Sequence, residues 1–149
     1  MNEGENISKK ITSLSSKQRA QSSVLKDELG KLPPQALELE EAVLGALLLD
    51  RNALNDVIEI LSVDSFYKEA NQKVYTAILH LFDKTEPIDI LTVTQELRET
   101  GELEKVGGAY YISKLTSRIN SSANVEFHSR IIAQNAIKRN LITIASDIL

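Results

Sequence analysis

Residues 125–149 read VEFHSRIIAQNAIKRNLITIASDIL, a run of 25 residues that contains neither glycine nor proline. Such a run is long enough for about seven helical turns. Within it, apolar residues recur at steps of four, three and four, the spacing of a helix-packing seam: Ile137, Leu141, Ile144 and Ile148. Further apolar side chains come from Phe127, Ile131, Ile132 and Ile142. We therefore predict a long helix with more apolar surface than one neighbour covers. Either the chain is cut within this element or the helix pairs with another chain.

The rest of the sequence predicts helices as well. Apolar residues recur at helical spacing over residues 37–48, 52–61, 69–82 and 109–119. The β-branched run Ile88 to Thr94 has the composition of a strand, but no second strand-like run is there to pair with it, and Asp89 is placed to cap a helix that ends before Gly101. We expect Phe66 and Tyr67 to plug into the core from a connector. The interpretation is an all-α fold.

The formal net charge of −4 hides three different regions. Residues 1–32 carry net +2, residues 33–105 carry net −9 and residues 106–149 carry net +3. Residues 1–31 are rich in serine and poor in apolar side chains, so we predict a disordered N-terminal tail. The spacing of Ile7, Ile11 and Leu14 leaves a second interpretation open, a short amphipathic helix that forms on a partner.

Composition excludes several classes of protein. Without cysteine the chain has no disulfides, no thiolate metal site and no cysteine nucleophile. The longest apolar run, Ala46 to Leu49, is too short for a membrane span, and the N-terminus lacks the apolar core of a secretory signal. We predict a bacterial cytoplasmic location.

No arrangement of residues for catalysis is found in the sequence. The GxxxxGK[ST] phosphate loop is absent, and His80 and His128 are too far apart in sequence to form a chelating pair. The acidic residues Glu38, Glu40 and Glu41 are explained by the charge preference of a helix start. We predict no catalytic, cofactor-binding or metal-binding residues in this chain, and therefore no enzyme activity of its own.

A modest basic group on the last predicted helix consists of Arg130, Lys138 and Arg139. The plain interpretation is a solvated helix face. The alternative is contact with an acidic protein surface or with nucleic acid phosphates, which makes a helical DNA-binding domain the second candidate function.

Five short motifs follow one another from residue 32 onward. They are LPPQ at 32–35 with ExExxVLG at 38–45, DxFY at 64–67 with NQKxYxAI at 71–78, PIDxxTV at 87–93, LExxGGxxYI at 103–112 and SANVxxHxxII at 122–132. In this order they resemble the N-terminal domain of bacterial replicative DNA helicases, the DnaB family. The sequence departs from many members of that family at residues 119–121, where it has Ile-Asn-Ser instead of a proline-containing turn.

The resemblance implies a domain over residues 32–149: a compact helical head at 33–119, followed by the first helix of a helical hairpin at 124–149. It also implies that the full-length parent is an ATP-dependent DNA helicase whose ATPase domain, with its ATP and Mg²⁺, is absent from this fragment. In the family, N-terminal domains pair and form a collar on a hexamer, dock primase and help govern the helicase loader. DNA contacts lie mainly in the ATPase domain.

These expectations give a non-catalytic assembly and primase-docking domain as the first candidate function. The apolar residues of the last helix are expected to supply the buried surface of its protein interface, and the cations to orient the partner. The predicted interface residues are Phe127, Arg130, Ile137, Lys138, Arg139, Leu141, Ile144 and Ile148.

Overall fold

Helices make up the regular structure of residues 33–117 and 122–148, the part of the chain that this computed structural model describes. Within these ranges there is no strand, which confirms the all-α prediction. The predicted tail at residues 1–31 lies outside the described residues. The elements are α1 Leu37–Leu49, α2 Ala53–Val57, a 3-10 helix Val63–Ser65, α3 Glu69–Asp83, α4 Ile90–Glu99, α5 Leu103–Val106, α6 Gly108–Ser117 and α7 Val125–Ile148.

Helix α1 lies at the centre of the head. It packs against α7, α6 and α3, and α3 in turn packs against α4. Its fully buried side chains include Val43, Leu44 and Leu47, which belong to one apolar cluster with residues from all the other helices. Because α1 has neighbours on several sides, its sequence is apolar over more than a single stripe. None of the helices described is long and apolar enough to cross a bilayer.

Helix α4 confirms the helical interpretation of the β-branched run. The Asp89 carboxylate accepts hydrogen bonds from the backbone N–H of Leu91 at 2.8 Å and of Thr92 at 2.9 Å, and the Thr92 hydroxyl accepts from the Asp89 N–H at 2.9 Å. This reciprocal pair is a capping box, and it starts the helix despite the β-branched composition. After the helix ends, Gly101 takes a φ of +74°, in the left-handed region that glycine favours.

Two sequence-based expectations in the connector were wrong. The second helix ends at Val57 instead of near Leu61, because a tighter turn follows, in which the Ile60 N–H donates to the Val57 carbonyl. The Leu61 carbonyl accepts a hydrogen bond from the buried Tyr75 hydroxyl at 3.0 Å. Phe66 is buried as expected, but Tyr67 is 37% exposed. The backbone is extended at Phe66, and neighbouring side chains of an extended segment point to opposite sides, so the two rings cannot both enter the core.

Helix α7 is long, as predicted, and has two parts. The first part lies on the head, where Val125, Ser129, Ile132 and Ala136 are buried. Every residue from 140 to 148 is exposed, and we call this segment the arm. Nothing in the described residues covers the arm.

Candidate protein-interaction surface

The arm and the turn before it carry a continuous apolar stripe. Its four residues are 56% to 79% exposed: Ile137, Leu141, Ile144 and Ile148. At 100° per residue these positions share an arc of about 60°, roughly 120° around the helix from the buried face. We call this group the arm stripe. Contiguous apolar surface of this kind marks an interaction site more often than a solvated face.

A second face of α7 also carries exposed apolar residues, spread along the length of the helix. Phe127 is 66% exposed, Ile142 is 51% exposed, and Lys138 lies between them on the same side of the helix. This side is about 100° from the arm stripe and about 140° from the buried face. Helix α7 therefore presents apolar residues over more than one face, as its sequence indicates.

The three predicted cations do not form one basic strip. Arg130 donates a hydrogen bond to the Glu126 carboxylate at 2.7 Å on the exposed side of α7, in line with the arm stripe, and Lys138 is exposed. Arg139 lies about 180° around the helix from Arg130, at the edge of the buried face. Its guanidinium donates to the backbone carbonyls of Pro34 at 2.8 Å and Ser65 at 2.9 Å. Seven of the eight predicted interface residues are thus exposed, and Arg139 contacts its own chain.

A buried carboxylate organises the head below this surface. Glu40 is 1% exposed and accepts hydrogen bonds from the backbone N–H of Tyr67 at 2.9 Å and of Lys68 at 3.3 Å, and from the Asn71 side-chain amide at 3.0 Å. Its partners lie where α3 begins, so Glu40 satisfies the free donors at the start of a neighbouring helix. From the sequence, Glu40 is explained only by the charge preference at the start of its own helix, and its contacts with α3 are not predicted. Its spacing of three and four from the core residues Val43 and Leu44 is the signal that places it on the inner face.

Tyr111 extends this network from α1 and α3 to α6. Its hydroxyl donates to the Asn71 side-chain oxygen and accepts from the Lys68 ammonium at 3.2 Å. The same ammonium lies 4.4 Å from the centre of the Tyr111 ring. Burial, together with the nearby charges of Glu41 and Glu40, raises the pKa of Tyr111 above its ordinary value. The hydroxyl therefore stays protonated at neutral pH, and the network joins three helices without supplying a reactive group.

A groove of about 290 Å³ lies between α3 and α4. Its charged groups are paired: Lys73 lies 2.8 Å from Glu102, and the Glu96 carboxylate lies 3.1 Å from both His80 and Lys84. Burial raises the pKa of the Glu96 carboxyl, but hydrogen bonds from Lys84 and His80 outweigh burial and lower it below its usual range. In residues 33–117 and 122–148 no cluster of metal-ligating side chains is found. We regard the groove as structural.

Comparison with known proteins agrees with this architecture. The model of the DnaB-like helicase N-terminal domain family matches residues 32–134. The replicative DNA helicase DnaB of Rhodothermus marinus is 49% identical over 121 residues, which is 81% of this chain and 13% of that protein. The DnaB of Geobacillus stearothermophilus is 43% identical over 118 residues, which is 79% of this chain and 26% of that protein. The chain therefore spans about a quarter or less of these relatives.

A solved structure is similar as well. The crystal structure of the N-terminal domain of DnaB helicase from Mycobacterium tuberculosis matches with a TM-score of 0.77 and 40% identity, covering 78% of this chain and 81% of that one. At this identity the likeness extends to sequence and not to the fold alone.

Proposed function

The chain belongs to the DnaB-like helicase N-terminal domain family, and from this membership we propose that it is the non-catalytic assembly and primase-docking domain of a hexameric replicative DNA helicase. In this proposal the domain acts in DNA replication in the bacterial cytoplasm. Nucleotide hydrolysis and most DNA contacts belong to a separate ATPase domain of the full-length protein. The domain's own task is to hold partners together, first of all other copies of itself, then primase and the helicase loader.

The observation that carries the proposal is the exposed arm stripe. Full burial of an isoleucine or leucine side chain contributes roughly 1.5–3 kcal/mol. A pair of copies buries eight such side chains, four from each stripe, and because each is 56% to 79% exposed at the start, the gain is roughly 8–15 kcal/mol, against an association cost of about 4–15 kcal/mol. Stripe burial is therefore of the same size as this cost, so we expect Phe127 and Ile142 or the head to add contacts in a stable pair.

Charge favours pairing through the arm. Among residues 140–148, Asp147 is the single ionisable side chain, so two arms approach each other with little repulsion. The head, in contrast, has net −9 over residues 33–105. Apolar association at the arm is therefore less costly than head contact, and head contact needs a cationic partner surface or salt.

The proposal is tested by charging the arm stripe. We expect sedimentation velocity to show that the chain self-associates. A Leu141→Asp, Ile144→Asp double variant should stay monomeric up to about a tenfold higher concentration, because association then requires the burial of two carboxylates on each copy. Circular dichroism should show the helix content unchanged.

Leu91 offers a matched control, since it is an exposed leucine on α4 of the head. Leu91→Asp matches the single change Leu141→Asp on a different surface, and we expect it to associate like the unchanged chain. A chain that stays strictly monomeric at high concentration contradicts the assembly part of the proposal.

Primase docking has a separate test. Titration of the unchanged chain with a bacterial primase should give saturable binding in calorimetry. The same titration of the double variant shows whether primase binds a single copy of the chain or requires an assembled pair. If primase does not bind the chain at any concentration tested, the docking part fails while self-association stands.

A further inference from the structure

Arg139 occupies a special place on α7. It is the last residue of the helix that is partly buried, and the exposed arm begins at the next residue. Upstream, the helix docks on α1, α2 and the 3-10 helix through the buried residues Val125, Ser129, Ile132 and Ala136. Arg139 is therefore the last contact between α7 and the head before the exposed arm begins.

The guanidinium of Arg139 joins α7 to two separate segments of the head. One acceptor, the Pro34 carbonyl, precedes α1, and the other, the Ser65 carbonyl, ends the 3-10 helix. The guanidinium carbon also lies 5.4 Å from the centre of the half-exposed Tyr67 ring. These three contacts, two with main-chain carbonyls and one with an aromatic ring, restrict both the translation of α7 along its axis and its rotation about that axis at the point where it leaves the head.

One of the acceptors is held rigidly. Two hydrogen bonds hold Ser65 at the end of the 3-10 helix: the Ser62 N–H donates to the Ser65 hydroxyl at 3.0 Å, and the Ser65 N–H donates to the Ser62 carbonyl at 3.0 Å. Because Ser65 is also buried, its carbonyl is a fixed acceptor for the Arg139 guanidinium.

We propose that Arg139 is a positioning residue that sets the direction in which the arm leaves the head, and so presents the arm stripe to a second copy of the chain. This proposal rests on the assembly function above. It gives Arg139 an intrachain role, in place of the partner-facing role expected from the sequence. An arginine suits this role because its planar fork reaches two acceptors at once, whereas a lysine supplies one charged point.

The direction of the arm can be measured directly. The chain has no cysteine, so Asp83→Cys on the exposed end of α3 and Ala145→Cys on the arm give two unique spin-label sites. Pulsed electron spin resonance then reports the distance between head and arm within one chain, if the labelled chain is diluted with an excess of unlabelled chain. Sedimentation velocity of the same Arg139 variants without labels reports self-association.

We expect Arg139→Gln to broaden the head-to-arm distance distribution about twofold and to weaken self-association about tenfold, since the docked part of α7 loses its last anchor. Arg139→Lys keeps the charge and the aliphatic part of the side chain but loses the planar guanidinium, so we expect it to restore little of the narrow distribution or of the self-association. Arg130→Gln is the matched control on the same helix, because Arg130 pairs with the exposed Glu126 of α7 itself, and it should leave the distribution narrow.

The outcomes separate the two proposals. A narrow distribution in both Arg139 variants overturns the positioning role, whatever happens to association. A broad distribution in these variants, in a chain that never self-associates, supports the positioning role and contradicts the assembly function. If Arg139→Gln does not fold, Arg139→Lys still decides, because a narrow distribution there at unchanged association overturns the proposal.

Discussion

Glu40 places a carboxylate in the core of the head, and its cost is offset by three hydrogen bonds. A buried charge is unfavourable unless donors surround it, and here two backbone N–H groups and one side-chain amide do so. Glu40→Ala leaves all three donors without their acceptor. We expect the free energy of unfolding to fall by about 3 kcal/mol, measured by urea denaturation.

The neighbouring Glu38 provides the control for this change, because it lies in the same first turn but is exposed. Glu38→Ala should alter the free energy of unfolding by no more than about 0.5 kcal/mol. Equal losses in the two variants would show that the charge at the start of α1, and not the buried network, is the source of stability.

Glu96 makes the stability of the head depend on pH. Burial raises its pKa, but the hydrogen bonds from Lys84 and His80 lower it more, so the folded-state pKa lies below the unfolded one. The contribution of this group is present above the unfolded pKa and is lost as the pH falls through the folded pKa. We expect Glu96→Gln to flatten the loss of stability as the pH falls below 4.5, the ordinary pKa of a glutamate, in urea titrations.

A second carboxylate on α4 tests whether this effect is local. Glu99 is exposed, so Glu99→Gln should keep the slope of the unchanged chain at acid pH. If both variants flatten the curve equally, the acid sensitivity reflects general charge and not the contacts of Glu96.

At the scale of the element, α4 depends on its first turn. Asp89 is exposed, and yet its carboxylate satisfies two of the backbone N–H groups that a helix start leaves free. We expect Asp89→Ala to lower the free energy of unfolding by about 1 kcal/mol, and Asp89→Ser to recover most of that loss. Thermal unfolding of the three chains is the measurement, and no difference between alanine and serine would argue against the capping role.

Sequence patterns predict several of the helices but not the contacts between them. Local signals were sufficient for α3, α4 and α7, because apolar spacing, an N-cap and the absence of glycine and proline all act within one element. The exposed ring of Tyr67, the burial of Glu40 and the inward turn of Arg139 depend on contacts between residues far apart in the chain. The helical wheel of α7 separates Arg139 from Arg130, but only the structure supplies the two carbonyls that it binds.

For the whole molecule, the distribution of charge weighs against the alternative function, DNA binding through the last helix. Residues 33–105 carry net −9 and repel phosphates. Of the three cations behind this hypothesis, Arg130 pairs with Glu126 and Arg139 binds its own main chain. Lys138 is exposed, and one lysine neutralises about one phosphate.

We therefore expect forked DNA at low salt to bind the chain no more tightly than about millimolar, with a salt dependence close to that of one ionic contact. Fluorescence anisotropy over a salt series measures both quantities. Lys138→Glu should change little, because so weak a contact contributes little to begin with. Saturable binding well below millimolar that is lost in Lys138→Glu would restore DNA binding as a function of this helix, whereas tight binding that is insensitive to Lys138 would place the DNA contact elsewhere on the chain.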